Sequence, residues 1–191
     1  MNRIILASQS PRRKQLLEWA EIPFDIIIQP TDESFPALMP VDEVPVHIAL
    51  HKAKAVQELL NAEQKQITIL AADTIVVLNN NVIGKPKDKE DAIDILTSLS
   101  GHEHKVITGV VIVHGDNIIS FADTTNVLFH TLTPAQIAFY VDKYEPYDKA
   151  GAYAIQEWIG VVGIKKVEGD FYNVMGLPVS RVVQELNKLN P

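Results

Sequence analysis

The chain has 191 residues, of which 47% are hydrophobic and none is cysteine, and its formal net charge is −7 at pH 7. This content supports a substantial core, and it excludes disulfides, thiolate metal sites and cysteine nucleophiles. The acidic balance argues against binding to nucleic acid or anionic membranes, and no run of 18 uncharged apolar residues occurs that would span a bilayer. We therefore expect a cytoplasmic protein that is not exported, folded as a single domain over residues 1–191.

The chain begins with a predicted strand, a tight turn and a helix. Residues 4–7 are apolar, and Ser10 followed by Pro11 is typical of a helix N-cap and first helical position. Arg12 and Arg13 come next, although basic side chains at a helix N-terminus oppose the helix dipole. A bound anion would offset that repulsion, and the planar fork of arginine suits phosphate. The segment predicts a phosphate site; the alternative is a capped helix whose first turn is solvated.

Residues 24–28 predict a second strand, and the polar, proline-rich loop after it carries Asp32 and Glu33. Sites in α/β proteins gather at strand ends, so these acids either hold a divalent cation or act as ordinary turn residues. Residues 44–60 show helical spacing, with Lys52 along the buried stripe. That lysine either extends its ammonium group to solvent or meets an anionic ligand.

Residues 66–78 form a long β-branched run that predicts a central strand, or two strands that meet at a bend. Asp73 stands in the middle of this run. A buried carboxylate needs a cation, a metal or strong donors beside it, because otherwise it becomes protonated or destabilises the fold. We expect Asp73 to be catalytic or linked to a metal; the alternative is a bend residue that accepts backbone N–H bonds.

The next segment predicts a turn at 79–81, a short strand, and then Lys85 on a corner preceded by glycine. Helices are expected after Asp88, from Thr133 and from Pro178, because each starts with a capping residue or a proline. Further strands are expected at 105–113, 118–121, 125–129 and 159–167, with a turn at 169–173.

Residues 148–156 combine small residues, which let a ligand or another backbone approach closely, with Gln156, whose amide can read a base edge. The local pattern predicts a tight loop. The six histidines are scattered along the chain, so a histidine-based metal site is not expected.

Together, two arginines at a strand-to-helix turn, two lysines and a buried carboxylate suit the cleavage of a phosphoanhydride by water. Cationic groups and a divalent ion spread the developing negative charge while the carboxylate takes the proton of the water. The sequence has no P-loop, no dinucleotide-binding glycine pattern and no signature of Ser/His/Asp catalysis. The rival interpretation of the same residues is a non-catalytic nucleotide sensor or a nucleic-acid-binding regulator.

Six motifs follow one another along nearly the whole chain. They are residues 8–13 (SQSPRR), 72–76 (ADTIV), 84–86 (GKP), 108–109 (TG), 148–156 (DKAGAYAIQ) and 173–178 (NVMGLP). In order and spacing they resemble the Maf family of nucleoside triphosphate pyrophosphatases. The resemblance implies a three-layer α/β/α fold around a long mixed central sheet, similar to that of the ITPases, and usually a homodimer. It also implies cleavage of a nucleoside triphosphate to the monophosphate and pyrophosphate with Mg²⁺ or Mn²⁺.

The resemblance also assigns roles to individual residues. Asp73 matches the proton acceptor, and Glu33 is our candidate metal ligand. The substrate-binding candidates are Ser10, Arg12, Arg13, Lys52, Thr74, Lys85 and Gln156.

Among these candidates, Arg12, Thr74 and Gln156 match positions that separate the branches of the family, and here they resemble the dTTP/UTP branch. The expected substrates are dTTP, UTP and modified pyrimidine nucleotides, with a role in nucleotide-pool cleansing or division arrest. The same chemistry on 7-methyl-GTP is the alternative.

Overall fold

The computed structural model describes residues 2–61 and 64–189. Its helices are α1 (Pro11–Trp19), α2 (Val44–Leu59), α3 (Lys89–Leu99), α4 (Pro134–Tyr144), α5 (Trp158–Gly163), α6 (Phe171–Met175) and α7 (Val179–Leu189). Its strands are β1 (Ile4–Leu6), β2 (Phe24–Ile26), β3 (Ile69–Leu78), β4 (Asn81–Ile83), β5 (Glu103–His114), β6 (Asn117–Phe129) and β7 (Ile164–Glu168). In this described part of the chain, no helix is long and apolar enough to cross a membrane.

The strands form a mixed sheet in the order β2-β1-β3-β5-β6-β7, with β4 paired to β3. Strand β1 runs parallel to both β2 and β3. The pairs β3–β4 and β6–β7 are antiparallel. The predicted α/β class with a mixed central sheet is therefore confirmed.

The internal contacts of the chain fall into two compact units, and the expected single domain over residues 1–191 stays a prediction. The first unit comprises the described residues of 1–74, 108–123 and 176–191. In it, apolar residues of α2 pack against β1, β3 and β5. They include Ala49, Ala53 and Val56 from the helix and Ile5, Ile69 and Val111 from the strands.

Gly109 of β5 lets the first turn of α2 approach the sheet very closely. A Cβ atom at this position would lie 2.2 Å from the backbone nitrogen of Val46, so any larger residue would push the helix away. The predicted motif at 108–109 therefore has a packing function. It fixes α2, which carries Lys52, against the part of the sheet that includes Asp73.

The second unit comprises residues 75–107 and 124–175. In it, α3 packs against α4, and the fully buried residues include Leu96, Leu99, Phe129 and Tyr140. The tight loop predicted at 148–156 is confirmed as two short 3-10 turns, Pro146–Asp148 and Ala150–Ala152.

Three expectations of secondary structure are wrong. The two strands expected at 118–121 and 125–129 are one continuous strand, β6. The predicted strand at 159–167 is a strand only from residue 164, because residues 158–163 form α5. A short apolar run is compatible with a strand and with a helix, and here helical spacing buries Ile159 and Gly163 while Val161 is 80% exposed. The predicted turn at 169–173 leads directly into α6, which begins at Phe171.

Candidate active site

The turn between β1 and α1 has the cap that the sequence predicts. The Ser10 hydroxyl accepts a hydrogen bond from the backbone N–H of Arg13 at 3.4 Å, and Pro11 occupies the first helical position. The backbone N–H of Ser10 in turn donates to the Ser8 hydroxyl at 3.2 Å. The first turn of α1 carries no acidic residue, so the positive end of its dipole is not offset by a carboxylate of the helix itself.

Arg13 is 8% exposed and donates to three oxygen atoms of the first unit. Its Nε lies 2.7 Å from the carbonyl oxygen of Gly176, its Nη1 3.0 Å from the Ser8 hydroxyl, and its Nη2 2.9 Å from the Thr74 hydroxyl. One guanidinium group thus connects α1, β3 and the segment before α7. The Thr74 hydroxyl also lies 2.9 Å from that of Thr108, which orients this side chain at the residue after Asp73.

The charge of Arg13 is balanced within the same cluster. Burial lowers the pKa of Arg13, and the nearby positive charge of Arg12 adds to that effect. Asp73 and Glu33 oppose it, because their negative charges favour the protonated guanidinium group. The two arginines and two carboxylates predicted separately from the sequence therefore form one electrostatic group.

Lys52 joins the two carboxylates directly. Its Nζ lies 2.7 Å from Asp73 Oδ1 and 2.7 Å from Glu33 Oε1. The side chains of Lys52 and Asp73 are 19% and 14% exposed, whereas that of Glu33 is 52% exposed. Asp73 thus has the cationic partner that a carboxylate in the middle of a strand requires, and the pair is still accessible to water.

Two carboxylates that meet at one ammonium group also fit a hard divalent cation, for which carboxylate oxygens are the preferred ligands. No group of three or more His, Asp, Glu or Cys side chains that could hold a metal is found among the described residues. Glu33, the more exposed of the two carboxylates, would hold such an ion beside Asp73.

A family model described as Maf-like protein matches residues 3–189 of the chain. The chain belongs to the Maf family. Two proteins named dTTP/UTP pyrophosphatase are similar to it over nearly its whole length. The one from Cytophaga hutchinsonii is 50% identical over 98% of this chain and 85% of the relative. The one from Parabacteroides distasonis is 46% identical over 96% of this chain and 94% of the relative.

Among solved structures, the Ham1 protein of Staphylococcus aureus aligns with 67% of this Maf chain and 72% of its own, at 16% identity and a TM-score of 0.45.

The predicted site residues of this Maf chain are divided between the two units. The first unit brings together Arg12, Arg13, Glu33, Lys52, Asp73 and Thr74, with Ser10 at the adjacent cap. Lys85 and Gln156 belong to the second unit, where both are exposed. Lys85 follows β4, and Gln156 follows the 3-10 turns of residues 146–152.

Sequence reasoning does not identify the Gly176 carbonyl as an acceptor of Arg13 or Thr108 as a partner of Thr74. Thr108 appears in the sequence only as part of a motif, and a backbone carbonyl has no side-chain signal. Tyr140 and Glu157 of the second unit were also missed. Their hydroxyl and carboxylate groups contact each other across 17 residues, a pairing that no local pattern predicts.

Proposed function

We propose that this Maf-family chain hydrolyses dTTP and UTP to the nucleoside monophosphate and pyrophosphate. The observation that carries the proposal is the ion pair of Asp73 and Lys52, at 2.7 Å, in the middle of β3. The names of the curated relatives support the choice of substrates.

Asp73 is the proposed general base. Its carboxylate accepts a proton from a water molecule, whose oxygen attacks the α-phosphorus as the bond from that phosphorus to the bridging oxygen breaks. The electron pair of the broken bond leaves with pyrophosphate. A positioned base of this kind contributes about 10²–10⁴-fold to a rate.

Lys52 controls when Asp73 can act. Its ammonium group is shared by Asp73 and Glu33. The phosphate oxygens of an incoming triphosphate compete for that same group, and a lysine can turn towards them because its head group is compact and its stem flexible. The carboxylate of Asp73 is then released to accept a proton from water.

We assign Arg13 and Arg12 different roles towards the substrate. Three donors of Arg13 already bind protein oxygens, so its main effect on the substrate is its charge and the orientation that it imposes on Thr74. Arg12, on the first turn of α1, and Lys85 stay predicted phosphate ligands, and the hydroxyl of Ser10 keeps its place at the cap.

Glu33 would hold the divalent cation that the family implies, beside the proposed base Asp73. When bound, Mg²⁺ or Mn²⁺ neutralises negative charge on the phosphate oxygens during cleavage. Glu33 suits this role because its side chain is half exposed and can shift from the ammonium group of Lys52.

Further predictions concern the choice of nucleotide base, the oligomeric state, and the location and role of the protein in the cell. Thr74 and Gln156 are the proposed residues that favour dTTP, UTP and modified pyrimidine nucleotides over 7-methyl-GTP. The homodimer, the cytoplasmic location and a role in pool cleansing or division arrest stay predictions.

The decisive experiment measures monophosphate and pyrophosphate release with Mg²⁺ or Mn²⁺ from a panel of triphosphates. The panel contains dTTP, UTP, 5-methyl-UTP, pseudouridine triphosphate, CTP, dATP and 7-methyl-GTP. We expect equal amounts of the two products and the fastest turnover with dTTP and UTP, and no turnover after chelation by EDTA. Tight nucleotide binding without turnover would favour the sensor, and preference for 7-methyl-GTP would reassign the substrate.

A further inference from the structure

The segment from Lys149 to Glu157 in the second unit is held by polar contacts of buried side chains. Lys149, 8% exposed, lies 2.8 Å from the carboxylate of Asp148 and 3.7 Å from that of Glu157. The Tyr153 hydroxyl lies 2.8 Å from Nε2 of His104, and both residues are buried. A loop of small residues is thus fixed by specific partners, although small residues alone would leave it mobile.

One hydroxyl group contacts the chain both before and after Gln156. The Tyr140 hydroxyl accepts a hydrogen bond from the backbone N–H of Ala154 at 3.2 Å and donates to Oε2 of Glu157. Tyr140 is fully buried, and its ring stacks on that of Tyr144 with centroids 5.0 Å apart. The backbone two residues before Gln156 and the side chain one residue after it therefore share a single anchor on α4.

Gln156 itself remains exposed between these fixed points. A glutamine amide can match the N3–H donor and O4 acceptor of uracil or thymine with two hydrogen bonds. Both bonds form only if the backbone carrying the amide is held in one place, because an error of about 1 Å breaks one of them.

We infer that the Tyr140 hydroxyl is a positioning group that sets base discrimination through Gln156. The inference rests on the proposed function and deepens it, because it names how the nucleotide base is selected. Tyr140 does not touch the substrate. It acts by holding Ala154 and Glu157, so its loss affects the recognition of the base more than the cleavage of the phosphoanhydride.

The test is Tyr140→Phe, which deletes one oxygen atom and keeps the ring. We expect the ratio of kcat/KM for UTP to that for CTP to fall about tenfold, mainly through a higher KM for UTP, since one well-placed pair of base contacts gives discrimination of this order. Tyr144→Phe is the matched control, because it makes the same deletion on the neighbouring ring, and it should keep the wild-type ratio.

A double-mutant cycle with Gln156→Ala separates positioning from general damage to the fold. Gln156→Ala should lower the UTP to CTP ratio by itself, and adding Tyr140→Phe should lower it no further. Independent, additive losses would overturn the inference, and so would a Tyr140→Phe ratio within twofold of wild type. An unchanged ratio in Gln156→Ala would also overturn it.

If Tyr140→Phe does not fold, Glu157→Gln replaces it in the cycle. This variant keeps the size of the side chain, weakens the contact of the hydroxyl with residue 157 and leaves its contact with Ala154, so we expect a smaller fall in the UTP to CTP ratio. An unchanged ratio in that variant overturns the inference. A wild-type protein that turns over neither dTTP nor UTP overturns the proposed function and this inference together, whereas an active wild type with an unaffected ratio overturns the inference alone.

Discussion

Two regions of the molecule differ in how their polar side chains are buried. They are the cluster of Lys52, Asp73 and Glu33 in the first unit and the segment 149–157 in the second unit. The cluster is charged, and its side chains are 14–52% exposed. The segment is anchored mainly by residues that are almost completely buried, including Tyr140, Tyr153 and His104. The first arrangement allows ions to change partners, whereas the second keeps a backbone in place.

The difference follows from what each arrangement costs to disturb. An incoming phosphate offers the ammonium group of a partly accessible ion pair another anionic partner, so the pair can be exchanged without leaving that charge unpaired. A buried hydrogen-bonded group that loses its partner is destabilised by about 1–3 kcal/mol, so it stays paired. Substitutions in the cluster should therefore change turnover, and substitutions in the segment should change stability or specificity.

The largest expected effect is that of Asp73→Asn. The amide keeps the shape of the side chain but cannot accept a proton from water, so kcat should fall about 10³-fold while nucleotide binding is largely retained. Steady-state kinetics on dTTP and a direct binding assay check this. Asp94→Asn, at an exposed site on α3, is the control with unchanged kinetics. Turnover above a tenth of the wild-type rate would remove Asp73 as the base.

Lys52→Ala should lower kcat/KM about 10²-fold, since it removes the ammonium group proposed to move from the carboxylates to the phosphates. Lys54→Ala removes an equal charge from an exposed position two residues along α2, and its kinetics should match those of the wild type. Equal losses in the two variants would mean that only the net charge of the helix matters.

Gly151→Ala should destabilise the second unit without removing any charged group. Gly151 has a φ of 71°, and a Cβ atom there would lie 2.8 Å from Cγ2 of Val76. We expect the free energy of unfolding to fall by about 1–3 kcal/mol in urea titrations. Gly84→Ala is the control for stability, because a Cβ atom at Gly84 meets nothing within 4 Å. A Gly151→Ala protein as stable as the wild type would contradict the tight packing of this loop.

The last expected effect is a pH dependence of stability that comes from His104. Burial lowers the pKa of His104 from 6.5 to about 4, so between these pH values the unfolded chain binds a proton that the folded chain does not. The contribution of the neutral His104 to the free energy of unfolding is therefore complete above about pH 6.5 and is lost as the pH falls towards 4.

Between pH 7 and pH 5, the residue should account for a loss of about 2 kcal/mol in the free energy of unfolding. Urea titrations at the two pH values should show that loss reduced in His104→Phe and retained in His130→Phe, which changes an exposed histidine. The same pH dependence in all three proteins would show that His104 does not titrate in this way.

Local chemistry made several elements of this fold predictable from the sequence. Ser10, Asp88 and Thr133 cap helices as expected, because capping needs only a side-chain oxygen close to the first free N–H groups. The strand that carries Asp73 was recognisable from its β-branched run. The helix at 158–163 was not, because a short apolar run carries no decisive period.

In the candidate site, too, some features follow from the sequence alone and others only from the tertiary structure. The sequence by itself determined the family, the capped helix with its two arginines, and the need of Asp73 for a positive partner, since these follow from motifs and from the electrostatics of single residues. Only the tertiary structure decided that Lys52 and Glu33 meet Asp73, and that Arg13 binds Ser8, Thr74 and the Gly176 carbonyl. Such contacts join residues up to 163 positions apart, and they depend on how closely packed elements approach one another, which no local pattern encodes.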